Sequence, residues 1–351
     1  MKKVCFFGIF DPEYSRNRVL IHGFEQNDCE VTLCRVDPKI HQGFSKYLKL
    51  CQEYRKIKRT PFDLVVVGYP GQTVVWLAWL LFGKKIIFDA FLSLHDSNVK
   101  DRKIYPWYHP KAFKDWLLDY YSCFLARRVL LDTREHILYF NRAFSVPIEK
   151  CIRVLVGSDE RIFYPRPRLG PSEKFTIHFH GYYIPLQGIE YIVEAARVLR
   201  NENIQFNLIG RGQQFEKIQK EIKALQLKNI ASLDKVPLEE LPVHIAKADV
   251  CLGIFGESEK AARVISNKIY ECAAMGKPIV TADTAAIREL FTGGRDIILC
   301  RPRNSKDLAK KILELKNDPA RAEAIGTQAG ELFKTRLVSR VIVRALLNEL
   351  Q

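Results

Sequence analysis

Short apolar runs alternate with helix-like segments along nearly the whole chain. The runs are densely apolar, which is typical of parallel strands covered on both faces, and the intervening segments repeat apolar residues at helical spacing. The pattern predicts parallel sheets with right-handed crossovers. The predicted strands are Val4–Phe10, Val31–Val36, Leu64–Gly68, Lys85–Ala90, Val129–Asp132 and Ile152–Gly157, then Phe175–Gly181, Gln205–Gly210, Ile230–Val236, Val250–Phe255, Pro278–Ala282 and Ile297–Cys300.

Helices are predicted between the strands of the second series and at the end of the chain. After about residue 318 the pattern is helical throughout. The apolar run Thr73–Phe82 is too short to span a bilayer, and we interpret it as a buried helix between two strands. The helices predicted in the second series are Ile189–Arg200, Phe215–Leu225, Leu238–Ala246 and Lys306–Leu315.

A segment with three prolines and a glycine in twelve residues, Phe163–Lys174, separates the two series. It predicts an α/β chain of two doubly wound, Rossmann-like domains, residues 1–165 and 166–335. Residues 336–351 form a final helix, expected to pack back on the first domain. Because such sheets bind ligands at the carboxyl ends of their strands, we expect both to face a central cleft.

Composition favours a globular protein with an anionic partner. Apolar residues make up 47% and charged residues 27%, and the net charge is +15. This charge favours nucleic acid, an anionic membrane or a phosphorylated substrate. Because no RNA-binding motif or basic tail is present, nucleic acid is not the expected partner.

Cysteines and the first residues indicate a cytoplasmic protein. The nine cysteines show neither a CxxC pair nor metal-ligand spacing, so reduced thiols and no metal site are expected. The opening MKKVCFFGIF is interrupted by Gly8, ends at Asp11-Pro12 and has no small-residue cleavage site. It therefore predicts a first strand and not a signal peptide.

Two strand-to-helix turns of the second series contain glycines. Gly181 and Gly188 follow its first strand, and Gly210 and Gly212 flank Arg211 after the next. Such turns can bring phosphate oxygens close to main-chain N–H groups. Any such turn, however, uses glycine where φ is positive.

The stretch ISNKIYECAAMGKPIV, residues 265–280, begins a helix with polar residues. With Ser266 as N-cap, the positive helix end would point into the cleft, and Lys268 would add a charge there. Asn267 and Glu271 would share one edge, where a carboxylate can accept both ribose hydroxyls of a nucleotide. A solvated helix with an ordinary Lys–Glu pair explains the same residues.

Four motifs in order resemble the retaining glycosyltransferases of family 4, which have the GT-B fold. They are GYYIPLQGIEYIVEAARVL, FNLIGRGQQFEKI, NKIYECAAMGKPIV and LAKKILELKNDPARAEAIG, over roughly residues 175–330. The first domain is looser but includes VGSDERIFYP. The resemblance implies sugar transfer from a nucleotide-diphosphate donor to an acceptor hydroxyl, by front-face attack and without a metal or other cofactor.

The resemblance also implies site residues. Glu271 matches the second acid of the E-x7-E motif, which contacts the donor's ribose. The first acid's position holds Arg263, so Glu257 or Glu259 from the preceding loop, or another group, is expected to replace it near the transferred sugar.

The family's phosphate-binding Arg and Lys correspond to Tyr182 and Gln187 here, which is a second departure. Cations elsewhere would compensate, with Lys268 the leading candidate. The others are Arg211, Lys260 and Arg263.

The first domain is expected to supply the acceptor side. Asp11, Arg16 and Asn17 follow the first strand, and His95 and Asp96 follow the fourth. The family often has a histidine near the latter point that contacts the donor sugar.

Aromatic and basic residues interleave in Lys103–Trp116, KIYPWYHPKAFKDW. This predicts peripheral docking on an anionic membrane, where a lipid-linked acceptor for cell-surface glycan synthesis would be reached. The alternative is a packed segment with Trp107 and Trp116 in the core.

Another class of function stays open. A non-catalytic GT-B scaffold that binds a nucleotide or a partner protein would explain the missing first acid. A nucleotide-sugar epimerase also uses this fold, but the motif set looks unlike one.

Overall fold

The computed structural model describes residues 1–168 and 173–351, and these form two compact units. Unit 1 comprises Met1–Gly157 and Leu337–Gln351, and unit 2 comprises Ser158–Arg336. The division follows Gly157, whereas the proline-rich segment predicted it at residue 165. Part of that predicted linker, residues 169–172, lies outside the described residues.

Unit 1 contains a six-stranded parallel sheet in the order β2-β1-β3-β4-β5-β6. All six strands predicted in the first series are present, although the last is shorter than expected. They are β1 Lys2–Ile9, β2 Cys29–Val36, β3 Leu64–Val67, β4 Ile86–Phe91, β5 Arg128–Leu131 and β6 Cys151–Arg153.

Helices cover both faces of this sheet. The C-terminal helix packs against the first helix of the chain. Their contact is close, because a Cβ added to Gly23 would lie 2.4 Å from Ser339 O. Trp76 and Leu80 are exposed on the third helix, so the run predicted to be buried is buried only in part. The helices are α1 Ser15–Glu25, α2 Ser45–Ile57, α3 Val75–Phe82, α4 Pro110–Leu125, α5 Arg134–Phe144 and α14 Ser339–Glu349.

Unit 2 contains a second six-stranded parallel sheet, ordered β12-β11-β10-β7-β8-β9. The strands predicted in the second series are confirmed within a few residues. They are β7 Phe175–His180, β8 Ile204–Ile209, β9 Ile230–Leu233, β10 Val250–Leu252, β11 Ile279–Ala282 and β12 Ile298–Cys300.

The helices of unit 2 include the four predicted ones. Helix α8 begins at Leu241, later than predicted, because Pro242 lies in its first turn. The helices are α6 Ile189–Val198, α7 Phe215–Ala224, α8 Leu241–Ala246, α9 Glu259–Arg263, α10 Asn267–Ala274, α11 Ala285–Arg288, α12 Ser305–Asn317 and α13 Pro319–Arg336.

The parallel register aligns the carboxyl ends of β7 and β8, because His180 pairs with Ile209. On one face of these strands, Ile177, Phe179, Phe206 and Leu208 belong to the unit's core. The α/β fold with two doubly wound sheets is therefore confirmed. All nine cysteines are free thiols. No helix within residues 1–168 and 173–351 is long and apolar enough to cross a bilayer.

Candidate functional site

The turns after β7 and β8 touch each other through glycines. Gly181 has φ +149° and Gly210 has φ +135°, a region that side chains disfavour. A Cβ on Gly210 would lie 2.0 Å from Gly181 O, so no side chain fits there. The N–H of Gly181 donates to Ile209 O at 3.0 Å, and that of Gly188 to Pro185 O at 3.1 Å. These two N–H groups therefore serve the turns and not an anion, contrary to the glycine-turn hypothesis.

A pocket of about 290 Å³ opens beside these turns. Lys235 Nζ lies 4.7 Å above the Tyr182 ring at its rim, and Arg211 Nη1 lies 3.5 Å from Asp234 Oδ2. Apolar walls with a cationic rim suit a flat heterocycle that carries anionic substituents. The lining residues are His180, Gly181, Tyr182, Ile209, Gly210, Arg211, Lys235, Val236, Leu238 and Leu241.

Lys268 is a buried cation on α10 next to the β7 turn. Its Nζ donates to Gln187 Oε1 and lies 4.4 Å from the centroid of the Phe179 ring. A Cβ on Gly181 would come within 3.2 Å of this nitrogen. Burial lowers the pKa of Lys268 to about 7, although the Glu271 charge opposes this. A buried ammonium whose hydrogen-bond partner is a neutral amide favours an incoming anion.

Glu271 lies one turn later on α10 and is also buried. Its Oε2 lies 2.7 Å from Nε2 of His180, whose Nδ1 lies 2.8 Å from Nε2 of His178. The sequence reasoning missed both histidines. The signal was the alternation in IHFHG, residues 177–181, which places His178 and His180 on the same face at the end of the strand.

Ser266 occupies the N-cap position of α10, but its hydroxyl makes no capping bond. The cap predicted from the sequence is therefore wrong in its key contact, and Oγ is buried without a hydrogen-bond partner in the described part of the chain. Without a side-chain cap, the first N–H groups of α10, at Asn267 and Lys268, stay available to a ligand.

The residues near the missing first acid are engaged elsewhere. Arg263 is buried and pairs with the exposed Glu259 at 3.3 Å. The Glu257 carboxylate accepts a hydrogen bond from the Tyr191 hydroxyl. Lys260 is buried on the same short helix as Arg263. In the described ranges, neither Glu257 nor Glu259 bonds to Lys268 or Glu271, and their role near the transferred sugar stays a prediction.

In unit 1, Arg16 is fully buried and holds the fold together. Its guanidinium pairs with Asp89 at 2.9 Å and donates to Val154 O and Leu155 O at 2.7 and 3.0 Å. Burial raises the pKa of Asp89, and Arg16 opposes that shift. Arg16 therefore ties α1 to β4 and to the chain after β6, and its predicted role as an acceptor contact is corrected to a structural one.

Asn17 is buried as well and fixes the turn after β3. Its Nδ2 donates to Asp11 O at 2.9 Å and to Tyr69 O at 2.6 Å, and its Oδ1 accepts from Tyr69 N at 3.1 Å. Asp11 is partly exposed and pairs with Lys39 at 3.0 Å, which lowers the pKa of Asp11. Of these predicted acceptor residues, only Asp11 presents a side chain toward solvent.

Replacing Arg16 by Met should lower the free energy of unfolding by about 3–5 kcal/mol, because it leaves Asp89 buried without its cation. Urea-induced unfolding of both proteins measures the change. A variant of unchanged stability would contradict this structural role of Arg16.

His95 lies at the start of a helical segment after β4, as the N-cap of the π-helix Asp96–Asp101, and a buried acid on α4 holds this start in place. Asp119 on α4 accepts hydrogen bonds from Ser93 Oγ at 2.7 Å, Leu94 N at 3.1 Å and His95 N at 3.0 Å. Burial raises the pKa of Asp119 to about 7 and lowers the pKa of His95. Asp96 is buried, and its N–H donates to Ser93 Oγ at 2.9 Å. Hydrogen bonds thus fix the start of this helical segment, and the His95 imidazole is half-buried.

Asp119 was not predicted from the sequence. Its signal was polar residues on the inward face of α4, where Asp115, Asp119 and Ser122 are buried at helical spacing. In the ranges 1–168 and 173–351, no three His, Cys, Asp or Glu side chains are grouped as a metal site would require.

Residues 174–318 match the family model described as Glycosyl transferases group 1. An uncharacterized glycosyltransferase of Methanocaldococcus jannaschii is 26% identical over 156 residues, which is 44% of this chain and 42% of that protein. The alpha-D-kanosaminyltransferase of Streptomyces kanamyceticus is 25% identical over 170 residues, 48% of this chain and 43% of that protein. The matches therefore span less than half the length of these relatives. The narrower assignment to family 4 stays a prediction.

Solved structures share the fold. HepE of Anabaena, in complex with UDP-glucose, superimposes with a TM-score of 0.76 at 17% sequence identity. The match covers 100% of this chain and 99% of the HepE chain. Sucrose-phosphate synthase of Thermosynechococcus elongatus has a TM-score of 0.75 at 13% identity, with 100% and 99% coverage. At such identities the likeness establishes the fold alone.

Proposed function

Since the chain has the GT-B fold and its residues 174–318 match the model of the group 1 glycosyl transferases, we propose that it is a retaining glycosyltransferase. It moves a sugar from a nucleotide-diphosphate donor to an acceptor hydroxyl. One observation carries the proposal: α10 presents a buried cation, Lys268, and a buried carboxylate, Glu271, beside the pocket at the Gly181 and Gly210 turns.

Each part of a nucleotide sugar has a matching group in unit 2. The pocket beside Tyr182 and Lys235 takes the base, and Glu271 accepts the ribose hydroxyls. Lys268 and the uncapped first N–H groups of α10 face the diphosphate, because an ammonium and a helix N-terminus both stabilise anions. Uracil is the first base to test, with UDP-glucose as the donor, since HepE was solved in complex with UDP-glucose.

These groups also account for the chemistry. As the bond to the sugar breaks, negative charge builds on the leaving diphosphate, and preorganised positive groups lower the barrier. We therefore propose that the transfer needs no metal ion, because Lys268 and the N-terminus of α10 supply the positive charge that a metal ion would otherwise provide. The anomeric configuration is retained if the acceptor hydroxyl attacks the anomeric carbon on the face from which the diphosphate leaves. A phosphate oxygen of the leaving group then takes the hydroxyl proton.

The experiment is a donor screen. UDP-, GDP- and ADP-sugars are tested by thermal shift in EDTA, and the stabilising donor is then assayed for sugar transfer to lipid-linked and soluble acceptors. We expect one nucleotide to stabilise the protein, and the anomeric configuration of the product to match that of the donor. Inversion, or a requirement for metal, would contradict the mechanism.

A second candidate is a non-catalytic scaffold, and a specific observation favours it. Arg263 stands where the first acid is expected, and Glu257 and Glu259 are held by Tyr191 and Arg263. Donor binding without transfer or donor hydrolysis, across the acceptor panel, would make this the better description.

The acceptor side is proposed to lie in unit 1, and the acceptor to be lipid-linked. An aromatic stripe runs along α4: the rings of Phe113, Trp116, Tyr120 and Phe124 stack in sequence with interplanar angles of 12°, 12° and 8°. Trp116 is half-buried and its Nε1 donates to Ala143 O, which fits the core alternative. Trp107, by contrast, is 79% exposed, so the core alternative is wrong for that residue.

Basic residues gather where the stripe ends. A surface pocket of about 650 Å³ next to Phe124 is lined by Lys84, Arg127, Arg128 and Lys150. None of the four forms an ion pair in the described part of the chain, and burial lowers the pKa of Lys150. Exposed aromatics beside unpaired cations match an anionic lipid surface. We propose peripheral docking there, on the cytoplasmic face of a membrane.

Reversing two of these charges, with Lys84→Glu and Arg127→Glu, should lower the affinity for phosphatidylglycerol liposomes by at least about 30-fold, as measured by co-sedimentation. Each basic residue near an anionic surface contributes about 1 kcal/mol. Trp107→Ala should weaken it further, whereas Tyr164→Ala, an exposed aromatic of unit 2, serves as the control. Wild-type protein that stays in the supernatant with these liposomes would remove the membrane from the proposal.

A further inference from the structure

Two histidines of β7 reach Glu271 through an unbroken chain of hydrogen bonds. His178 Nε2 to His180 Nδ1 measures 2.8 Å, and His180 Nε2 to Glu271 Oε2 measures 2.7 Å. Alternation along the strand places both imidazoles opposite Ile177 and Phe179, which are in the core. The chain is therefore a buried polar network built on a rigid strand.

With Glu271 ionised and His180 neutral, only one arrangement of the protons satisfies both hydrogen bonds. An ionised carboxylate only accepts hydrogen bonds, so Nε2 of His180 carries the proton that it donates to Glu271. In a neutral imidazole the other nitrogen then accepts, so His178 Nε2 donates to His180 Nδ1. Both histidines are thus Nε2–H tautomers.

The surroundings of His178, at the far end of this hydrogen-bonded series, agree with these proton positions. Nδ1 of His178 is buried and has no hydrogen-bond partner among the described residues. In the arrangement above, this nitrogen bears a lone pair and no proton, so no N–H is left unpaired. Burial, the largest cause, lowers the pKa of His178 well below its usual value, which keeps this imidazole neutral.

The hydrogen bond from His180 fixes the orientation of the Glu271 carboxylate. His180 binds one oxygen of Glu271, and no hydrogen bond within residues 1–168 and 173–351 reaches the other. The carboxylate is fixed in one orientation with one oxygen left for a ligand. His180 also lines the pocket beside the Gly181 turn, so the chain ends at a wall that a ligand can reach.

We propose that His180, oriented by His178, is a positioning residue that holds the Glu271 carboxylate for the ribose of the donor. This assignment rests on the function proposed above. A carboxylate held in advance loses less conformational freedom when it binds, so the hydrogen bond from His180 acts on donor affinity through Glu271.

Two substitutions separate the bonds of His180. His180→Gln keeps a donor near the place of Nε2, whereas His180→Asn keeps only a group near the place of Nδ1. With UDP-glucose as the probe in calorimetry, we expect the Kd to rise about 10- to 100-fold for His180→Asn, because a hydrogen bond to a charged group is lost. His180→Gln should stay within about threefold of wild type. Melting temperatures verify that both variants fold.

A second measurement does not depend on the donor. Nitrogen-15 NMR of histidine-labelled protein should show His178 and His180 as neutral Nε2–H tautomers, assigned by substituting each. Equal UDP-glucose affinity of wild type and His180→Asn would overturn the positioning role. If wild type binds no nucleotide sugar, the proposed function fails, and an Nδ1–H or doubly protonated His180 would then overturn the chain itself.

Discussion

Replacing Glu271 by Gln should lower kcat/KM for sugar transfer by about 30- to 100-fold while the melting temperature stays nearly constant. The carboxylate is expected to accept hydrogen bonds from the ribose of the donor, and such bonds to a charged group contribute about 1.5–3 kcal/mol. The amide keeps one acceptor oxygen, so part of the binding remains.

Gln is the sharper substitution because of what surrounds the carboxylate. His180 Nε2–H donates to Glu271 Oε2, and an amide oxygen can accept the same bond. Ala would instead leave a buried N–H without a partner, which costs stability for reasons unrelated to the donor. The Glu271 charge also raises the pKa of Lys268, so any change at this position weakens that cation too.

Glu323→Gln, an exposed acid on α13, provides the matched control. Steady-state transfer with the donor found in the screen gives kcat/KM, and thermal unfolding gives the stability. A Glu271→Gln enzyme as active as wild type would remove Glu271 from the donor site. A fall of many degrees in melting temperature, with activity lost only in proportion to the unfolded fraction, would make the carboxylate structural.

Most strands were predictable because a strand that is buried on both faces is a short run of apolar residues in the sequence. The inner strands are apolar runs bounded by turns, whereas the edge strands β2 and β9 are partly exposed. The βα alternation restricts the topology to parallel sheets. Even the short β12, Ile298–Cys300, was found in this way. Glu271 and Lys268 were found because their helix also carries a family motif.

The partners of buried polar groups were not predictable from local pattern. Arg16 follows a strand, where a side chain commonly faces a ligand, yet it pairs with Asp89, 73 positions away in sequence. His180 and Glu271 are 91 positions apart. Such pairs depend on three-dimensional packing, and a single sequence records only the residue types.

Ser266 illustrates a local rule that the site overrides. A serine before a helix normally accepts a hydrogen bond from a first-turn N–H, and losing that bond costs about 1 kcal/mol. The structure forgoes it and leaves the N-terminus of α10 uncapped. Departures from local rules are expected at functional sites, which agrees with an anion bound at this helix end.

Donor affinity should fall as the pH rises above about 7, because Lys268 loses its charge there. Burial lowers the pKa of Lys268 to about 7 in the unliganded protein, whereas an unfolded lysine titrates near 10.4. Between these pH values the unfolded chain binds more protons, so folding stability rises with pH while the cation for the diphosphate disappears. Affinity and stability should therefore change in opposite directions.

If only the ammonium form binds, the Kd for UDP-glucose should rise roughly 25-fold between pH 6.5 and 8.5, as a single titration at the folded pKa requires. A nucleotide sugar is the right probe, because its diphosphate diester has no proton that titrates near neutral pH. Calorimetry at pH 8 in buffers of different ionisation enthalpy should also show that about one proton is taken up on binding.

Two variants identify the titrating group. Lys268→Arg keeps a charge throughout this range and should give a flat pH profile, because arginine stays protonated. Lys268→Met should bind weakly at every pH and take up no proton, and Lys228→Met, which removes an exposed lysine, should behave as wild type. A wild-type Kd that is constant from pH 6.5 to 8.5 would mean that Lys268 does not contact the diphosphate. A pH dependence that persists in Lys268→Met would assign it to another group, and the positive charge for the leaving diphosphate would then come from the α10 N-terminus and residues other than Lys268.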